Sequence, residues 1–259
     1  MQENNKVICD FSFRHYEEIL KLALKKGYRF LSFRENSKKY KKIIYLRHDI
    51  DISPDNAIKL ARIENKYGIK ATYLYLLHDI FYNVLENKVL RDIKEINKLG
   101  HQIGLHFDFD LINNKSKIKN PKRMINEDLS LFKNILGRDI NIVSFHNPSV
   151  SRLAVGNIKS ENFINVYADE YTKNIKYLSD SLQVWKEGCL CRIIEKEKYD
   201  KMHFLIHPFL WNKKSSSLPV ISDDYIFHKC YRMNEYLKKC SKFYQRKWFL
   251  KNQCPLWKK

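Results

Sequence analysis

The sequence predicts an α/β protein built on one mainly parallel, closed or nearly closed barrel of strands and helices, with residues 1–259 forming a single domain. Three observations carry that expectation. Short apolar runs of strand character alternate with segments whose apolar residues recur at helical spacing. Glycines at 27, 68, 100 and 137 each stop a helical segment. A chain of 259 residues with 44% hydrophobic content can bury one large core. Strands alternating with helices of this length argue for a parallel sheet, and in a chain this long for a barrel.

The elements follow in order. Residues 14–26 place Ile19, Leu20, Leu22 and Leu24 in a helical register, Gly27 ends the run, and residues 28–33 read as a strand. The apolar strand Ile43, Ile44, Tyr45, Leu46 leads straight into Arg47, His48, Asp49, Ile50 and Asp51. Ser53 as N-cap and Pro54 at the first helical position start a helix carrying Ile58, Ala61 and Ile63, which Gly68 closes. Residues 71–77 read as a buried strand. Residues 85–99 form a helix with Val89, Ile93 and Ile96 on one face, followed by a strand over 101–106. Asn120 and Pro121 open a helix in which Ile125, Leu129, Phe132 and Leu136 share a face, and 141–146 is the next strand. Beyond Pro148 strands are expected at 164–168, 176–180 and 203–207, and a C-terminal helical segment over about 222–250.

Folding does not require the cluster at 47–51. On a strand, Arg47, Asp49 and Asp51 point one way and His48 the other. Two carboxylates on one face repel unless a cation, a proton or an arginine compensates, which is the electrostatic setting of a metal or acid–base site. In a parallel barrel, functional residues gather at the C-terminal ends of strands. The expected strand ends carry Asp49 and Asp51, His106 with Asp108, His146, Asp180 and His207, all metal-ligand or acid–base types. His101 falls at the opposite end of its strand and reads as structural, as do His15, His78, His203 and His228.

Five stretches then suggest a family. They are Arg47-His48-Asp49-Ile50-Asp51, Gly100-His101-Gln102-Ile103-Gly104-Leu105-His106-Phe107-Asp108, Ser144-Phe145-His146-Asn147-Pro148-Ser149, Tyr177-Leu178-Ser179-Asp180-Ser181 with Trp185, and Leu205-Ile206-His207-Pro208. In this order they resemble the polysaccharide deacetylase (NodB-homology) superfamily, in a branch that opens with Arg-His-Asp-x-Asp. The resemblance covers a motif core of about residues 43–211. It implies a distorted (β/α) barrel of the glycoside hydrolase/deacetylase type, a divalent metal, most often zinc (Zn2+), and removal of an acetyl group from an N-acetylated or O-acetylated sugar.

Carried over residue by residue, the resemblance makes Asp49 the general base, Asp51 and His106 metal ligands, and His207 the general acid, oriented by Asp180, with Trp185 lining the pocket. A metal there polarises the acyl oxygen and lowers the pKa of its water to about 7. Two positions depart from the family pattern. Asp110 stands where a second ligand histidine is usual, and His146 where an arginine usually steers the base. The third ligand is therefore His146, Asp110 or Asp108. His146 is favoured because it ends a strand and imidazole suits zinc, and Arg47 is placed to take over the arginine's part at Asp49. Asp108 and Asn147 are also expected beside the substrate.

The formal charge is +19. Its lysines are dispersed over helix faces, in a chain rich in Lys, Asn and Ile together, and no nucleic-acid-binding motif accompanies them, so nucleic acid is not expected as a partner. The expected partners are an acetylated sugar, nucleotide sugar or glycan. The basic and aromatic stretch at 244–251 is expected first as part of a helix capping the barrel, and second as a partner-binding face or a peripheral contact with the cytoplasmic membrane face. Neither an apolar leader at Met1 to Lys6 nor a run of membrane-spanning length occurs, so a cytoplasmic protein of surface-glycan biosynthesis is expected. The six cysteines show no zinc-ribbon or disulfide-framework spacing and are expected as reduced thiols. Two other readings compete with the deacetylase. One is a hydrolase of another small amide, and the other a catalytically silent glycan- or lipid-binding protein.

Overall fold

The computed structural model describes residues 9–109, 120–148 and 154–240. They divide into two compact units, one ending at Ser215 and one beginning at Ser216. The first contains α1 (Phe13–Lys25), β1 (Arg29–Leu31), β2 (Ile43–Ile50), α2 (Ala57–Lys66), β3 (Thr72–Tyr75), α3 (Asn87–Lys98), β4 (Gln102–Phe107), α4 (Pro121–Leu136) and β5 (Ile142–Phe145). It continues with β6 (Ile164–Asn165), α5 (Asp169–Thr172), β7 (Lys176–Ser179), α6 (Leu190–Glu195) and β8 (Lys201–Ile206). The second contains one long helix, α7 (Leu218–Cys240), which starts before the expected 222. The basic and aromatic stretch at 244–251 lies outside the described residues.

All pairings are parallel, in the order β6-β5-β4-β3-β2-β8-β7. β8 covers Ile43 to His48 along one edge of β2, so β1, opposite Ile43 to Tyr45, and β3, opposite Arg47 to Ile50, share the other edge end to end. The result is a distorted (β/α) barrel, but the expectation of a closed or nearly closed one is corrected. Among the described residues no pairing joins β6 to β7, and the sheet stays open there. β6 at that edge is short for a local reason. The side chain of Asn165 donates to the carbonyls of Val155 and Ile158 and accepts from Tyr167 N–H, a turn that ends β6 after two residues instead of the expected five.

One face of β2 shows how the interior is built. Ile43 and Tyr45 lie in the core cluster with Leu31, Phe33, Leu74, Ile142 and Tyr171, and Arg47 and Asp49 continue the same face toward the C-terminal end. β4 and β5 approach closely there. A Cβ at Gly104 would stand 2.6 Å from the carbonyl oxygen of Ile142, so only glycine fits two residues before His106.

The other face of β2 meets the helices. His48 is fully buried, its Nε2 2.7 Å from Glu64 Oε1 of α2, with its ring stacked on Tyr73 at 4.2 Å. Glu64 also accepts hydrogen bonds from the hydroxyls of Tyr16 and Tyr73. Burial pushes the Glu64 carboxyl up, but His48 and these bonds outweigh it and hold it below its ordinary range. His101, read as structural, is buried here too. Its Nδ1 accepts from Ala71 N–H, so its Nε2 carries the proton and donates to the carbonyl of Ala61.

Candidate metal and acid–base site

The registers set the site before any side chain is considered. β2 pairs His48 with Ile206 and β7 pairs Ser179 with Leu205, so Asp49, Asp180 and His207 come off neighbouring strands at one level. His106 of β4 lies directly opposite Ser144 of β5, with His146 just beyond that strand. Curvature of the sheet then brings Asp51 of the β2 end to the two histidines.

Arg47 and Asp49 form a pair fully inside the barrel. Arg47 Nε donates to Asp49 Oδ1 at 2.9 Å and Nη2 to Oδ2 at 2.8 Å, a bidentate clamp between residues two apart on one strand. Nη2 also donates to the hydroxyl of Tyr167. Burial works against the charge on Asp49, but Arg47 and His106 overcome it, and the carboxyl lies below its ordinary value.

Ser144 fixes the tautomer of His106. Its hydroxyl donates to Asp49 Oδ1 at 3.3 Å and lies 2.6 Å from His106 Nδ1. Having given its one proton to the carboxylate, the hydroxyl accepts from Nδ1–H, which leaves the Nε2 lone pair of His106 free. That Nε2 is 3.0 Å from Asp51 Oδ1. His146 Nδ1 is 3.5 Å from the same oxygen and 3.3 Å from His106 Nε2. His146 Nε2 accepts from the side-chain amide nitrogen of Asn147 at 2.9 Å; with that amide turned over, its oxygen accepts from Nε2–H and leaves Nδ1 as the ligand nitrogen. Asn147 has a backbone φ of +41°, a conformation asparagine tolerates better than most residues.

Donor atoms of Asp51, His106 and His146 therefore converge within 4.8 Å of one another. Asp51 Oδ1 is buried yet has no hydrogen-bond partner among the described residues, despite two imidazole nitrogens beside it. A buried carboxylate oxygen left without a donor, facing a free imidazole lone pair, is the arrangement a divalent cation completes. One carboxylate and two imidazoles suit zinc and leave a coordination position open. The residues present thus fit the metal that the sequence motifs imply.

His207 closes the opposite side. Its Nδ1 is 2.6 Å from Asp180 Oδ1, and its Nε2 faces the site, 3.4 Å from Asp51 Oδ2. Asp180 is itself fully buried, taking the backbone N–H of His207 and, on Oδ2, the indole N–H of Trp211 at 2.8 Å. Burial disfavours charge on the imidazole, but Asp180 and Asp51 together push His207 up to about 9. His207 thus holds its proton at neutral pH while Asp49 stays ionised, the division of states a paired acid and base needs.

The structure thus brings together Arg47, Asp49, Asp51, His106, His146, Asp180 and His207. Asp108 lies near enough for its charge to favour protonated His146. Trp185 is buried, with its indole N–H unpartnered among the described residues, and Asp110 lies outside those residues. Ser144, Tyr167, Trp211 and Asp79 went unforeseen. Burial, with the Asp51 charge nearby, pushes Asp79 up to about 6. Only Ser144 had a sequence signal, since it sits two residues before His146 on the same strand face. The others come from loops whose course the sequence pattern does not set.

No family model and no curated protein matches the chain. Solved structures do. A chitin deacetylase from the fungal pathogen Colletotrichum lindemuthianum is 15% identical, with 72% of this chain and 81% of that one covered at a TM-score of 0.46. The catalytic domain of a peptidoglycan N-acetylglucosamine deacetylase from Eubacterium rectale is 16% identical, covering 74% and 85% at 0.43. A Streptococcus pyogenes deacetylase in complex with acetate is 15% identical, covering 76% and 81% at 0.42.

Proposed function

We propose that the protein is a metal-dependent hydrolase that removes the acetyl group from an N-acetylated or O-acetylated sugar. One observation carries this reading. The oxygen of Asp51 that is buried and unpartnered among the described residues sits with His106 Nε2 and His146 Nδ1 between the carboxylate of Asp49 and the imidazole of His207. The five ordered motifs supply the acetylated sugar as substrate class.

Asp51, His106 and His146 would hold the metal, with zinc favoured by the donor set. When bound, it supplies Lewis acidity toward the acyl oxygen and a lowered pKa for attacking water. Asp49 takes the proton of that water as its oxygen bonds to the acyl carbon, and Arg47 keeps the carboxylate oriented and charged until then. His207 gives its Nε2 proton to the departing nitrogen, or to the sugar oxygen of an ester, as the bond to the acyl carbon breaks. Asp180 holds Nδ1 so that Nε2 is the nitrogen presented.

The test is acetate release from N-acetylated hexosamine oligomers and O-acetylated sugars by metal-loaded protein. Asp49→Asn should retain metal and lose turnover, and His106→Ala should lose metal. Full activity in Asp49→Asn, or no acetate from any acetylated sugar with a loaded site, refutes the proposal.

A further inference from the structure

A second group of ligand-type side chains converges where α1 packs on α6, on residues the proposed hydrolysis does not use. Cys9 precedes α1, His15 lies in its first turn, Cys189 caps α6, and Cys191 is in the first turn of α6. Ligand atoms of Cys9, His15 and Cys189 all lie within 4.8 Å of one another. His15 Nε2 is 3.1 Å from Cys189 Sγ, and Cys191 Sγ is 3.2 Å from the same sulfur. The convergence of three of these, with Cys191 beside Cys189, is invisible in the sequence because His15 and Cys189 are 174 positions apart.

His15 is prepared as a ligand. Its Nδ1 lies 3.3 Å from Glu18 Oε2, so Nδ1 carries the proton and donates to the carboxylate, leaving the Nε2 lone pair aimed at the sulfurs. A histidine held through one nitrogen by a carboxylate and offering the other is the usual support of a metal-bound imidazole. Thiols are weak hydrogen-bond partners, and packing three of them around one buried imidazole satisfies none of the four well.

We infer that Cys9, His15, Cys189 and Cys191 form a second metal centre, a Cys3His site for zinc, separate from the site at Asp51. Zinc takes four N and S ligands tetrahedrally at about 2.0–2.3 Å, which spaces the ligand atoms by roughly 3.5–3.8 Å. The separations of 3.1 and 3.2 Å reach that by side-chain movements of about half an ångström, and those of up to 4.8 Å among Cys9, His15 and Cys189 by closing about an ångström. A disulfide, with sulfurs about 2.05 Å apart, would use two of the thiols and leave the third beside an imidazole oriented for no purpose.

The centre would clip the segment ahead of α1 to the start of α6. That segment supports the acid side of the other site. Phe11 packs on Trp211 with ring centroids 5.1 Å apart, and its carbonyl accepts from Asn212 N–H. Trp211 in turn holds Asp180. The metal's part is therefore structural, holding in place the contacts that orient His207.

The test uses the full chain, purified in reductant, stripped of resident metal with chelator, dialysed and titrated with Co2+ in place of zinc. Wild type should develop thiolate-to-cobalt charge-transfer absorption, Asp51→Asn should keep it, and Cys189→Ser should lose it. Where Cys189→Ser fails to fold, native wild type decides. Zinc should protect three of the six cysteines from alkylation, and chelator should expose them. Absence of the thiolate band in folded wild type, equal alkylation with and without chelator, or a disulfide among Cys9, Cys189 and Cys191 would each overturn the assignment.

Discussion

Replacing Asp180 by asparagine tests the acid side of the site without needing a substrate. The side chain keeps its shape and one carbonyl oxygen, so Trp211 and the His207 backbone retain an acceptor, but the charge 2.6 Å from His207 Nδ1 is gone. The rise of His207 from 6.5 to about 9 corresponds to roughly 3 kcal/mol in favour of the imidazolium. Burial opposes that charge, and Asp180 is the strongest group overcoming it, with Asp51 next. When Asp51 shares its charge with a metal, Asp180 is left to carry the effect. In metal-loaded Asp180→Asn, His207 should therefore titrate at or below about 6.5, its ordinary value.

Imidazole NMR titration of wild type and variant reads this directly. The stability consequence has a definite sign. A histidine whose folded pKa is raised stabilises the fold fully below 6.5 and loses that contribution as pH rises through about 9. Wild type should lose stability across that window, and Asp180→Asn should be flatter there. In an activity assay the alkaline limb should move toward neutrality, lowering the rate at pH 8 by roughly tenfold. A wild-type His207 titrating near 6.5, or one that Asp180→Asn leaves unmoved, refutes the reasoning.

Ser144→Ala should weaken metal binding by about 10- to 100-fold, because His106 loses the acceptor that fixes its tautomer. Competition titration with a chromogenic chelator measures it. Glu64→Leu should cost about 3–5 kcal/mol in chemical denaturation, because His48, Tyr16 and Tyr73 all lose their common acceptor inside the protein. In wild type the Glu64 carboxyl lies below its unfolded value of 4.5, so its contribution is present above that pH and is lost as pH falls through the folded value. Gly104→Ala should cost about 1–3 kcal/mol, read as a lower Tm, because its Cβ meets the Ile142 backbone rather than a movable side chain.

Periodicity and helix stops made the alternating elements legible, since each is a local property of the chain. Asn120 caps α4 by accepting from Arg123 N–H, and Gly137 ends it with φ +66°, as a glycine at that position predicts. Strand ends picked out side chains that the structure gathers together, because a parallel barrel puts its strand ends at one rim. Closure was not legible. Nor was the short β6 at the open edge, which ends at the Asn165 turn, whose partners Val155 and Ile158 lie in an irregular stretch. Trp211, Tyr167 and the cysteine cluster were hidden for the same reason, because their partners are distant in sequence and no period links them.

The opening motif mixes two demands that the alternating faces of β2 keep apart. His48 belongs to the Glu64 cluster that fastens the helices to the sheet, while Arg47 and Asp49 turn into the barrel. Within the site, the two carboxylates are then distinguished by what already occupies their oxygens. Both oxygens of Asp49 accept from Arg47, and Oδ1 accepts from Ser144 as well, so its lone pairs are largely taken. Among the described residues Asp51 keeps Oδ1 without a donor, beside Nε2 of His106. A cation draws on the open oxygen and a proton can still reach the clamped one, which supports Asp51 as ligand and Asp49 as base. Exchanging the two roles would require Arg47 to release Asp49, leaving its guanidinium fully buried without a carboxylate, a cost of about 3–5 kcal/mol that the opposite assignment avoids.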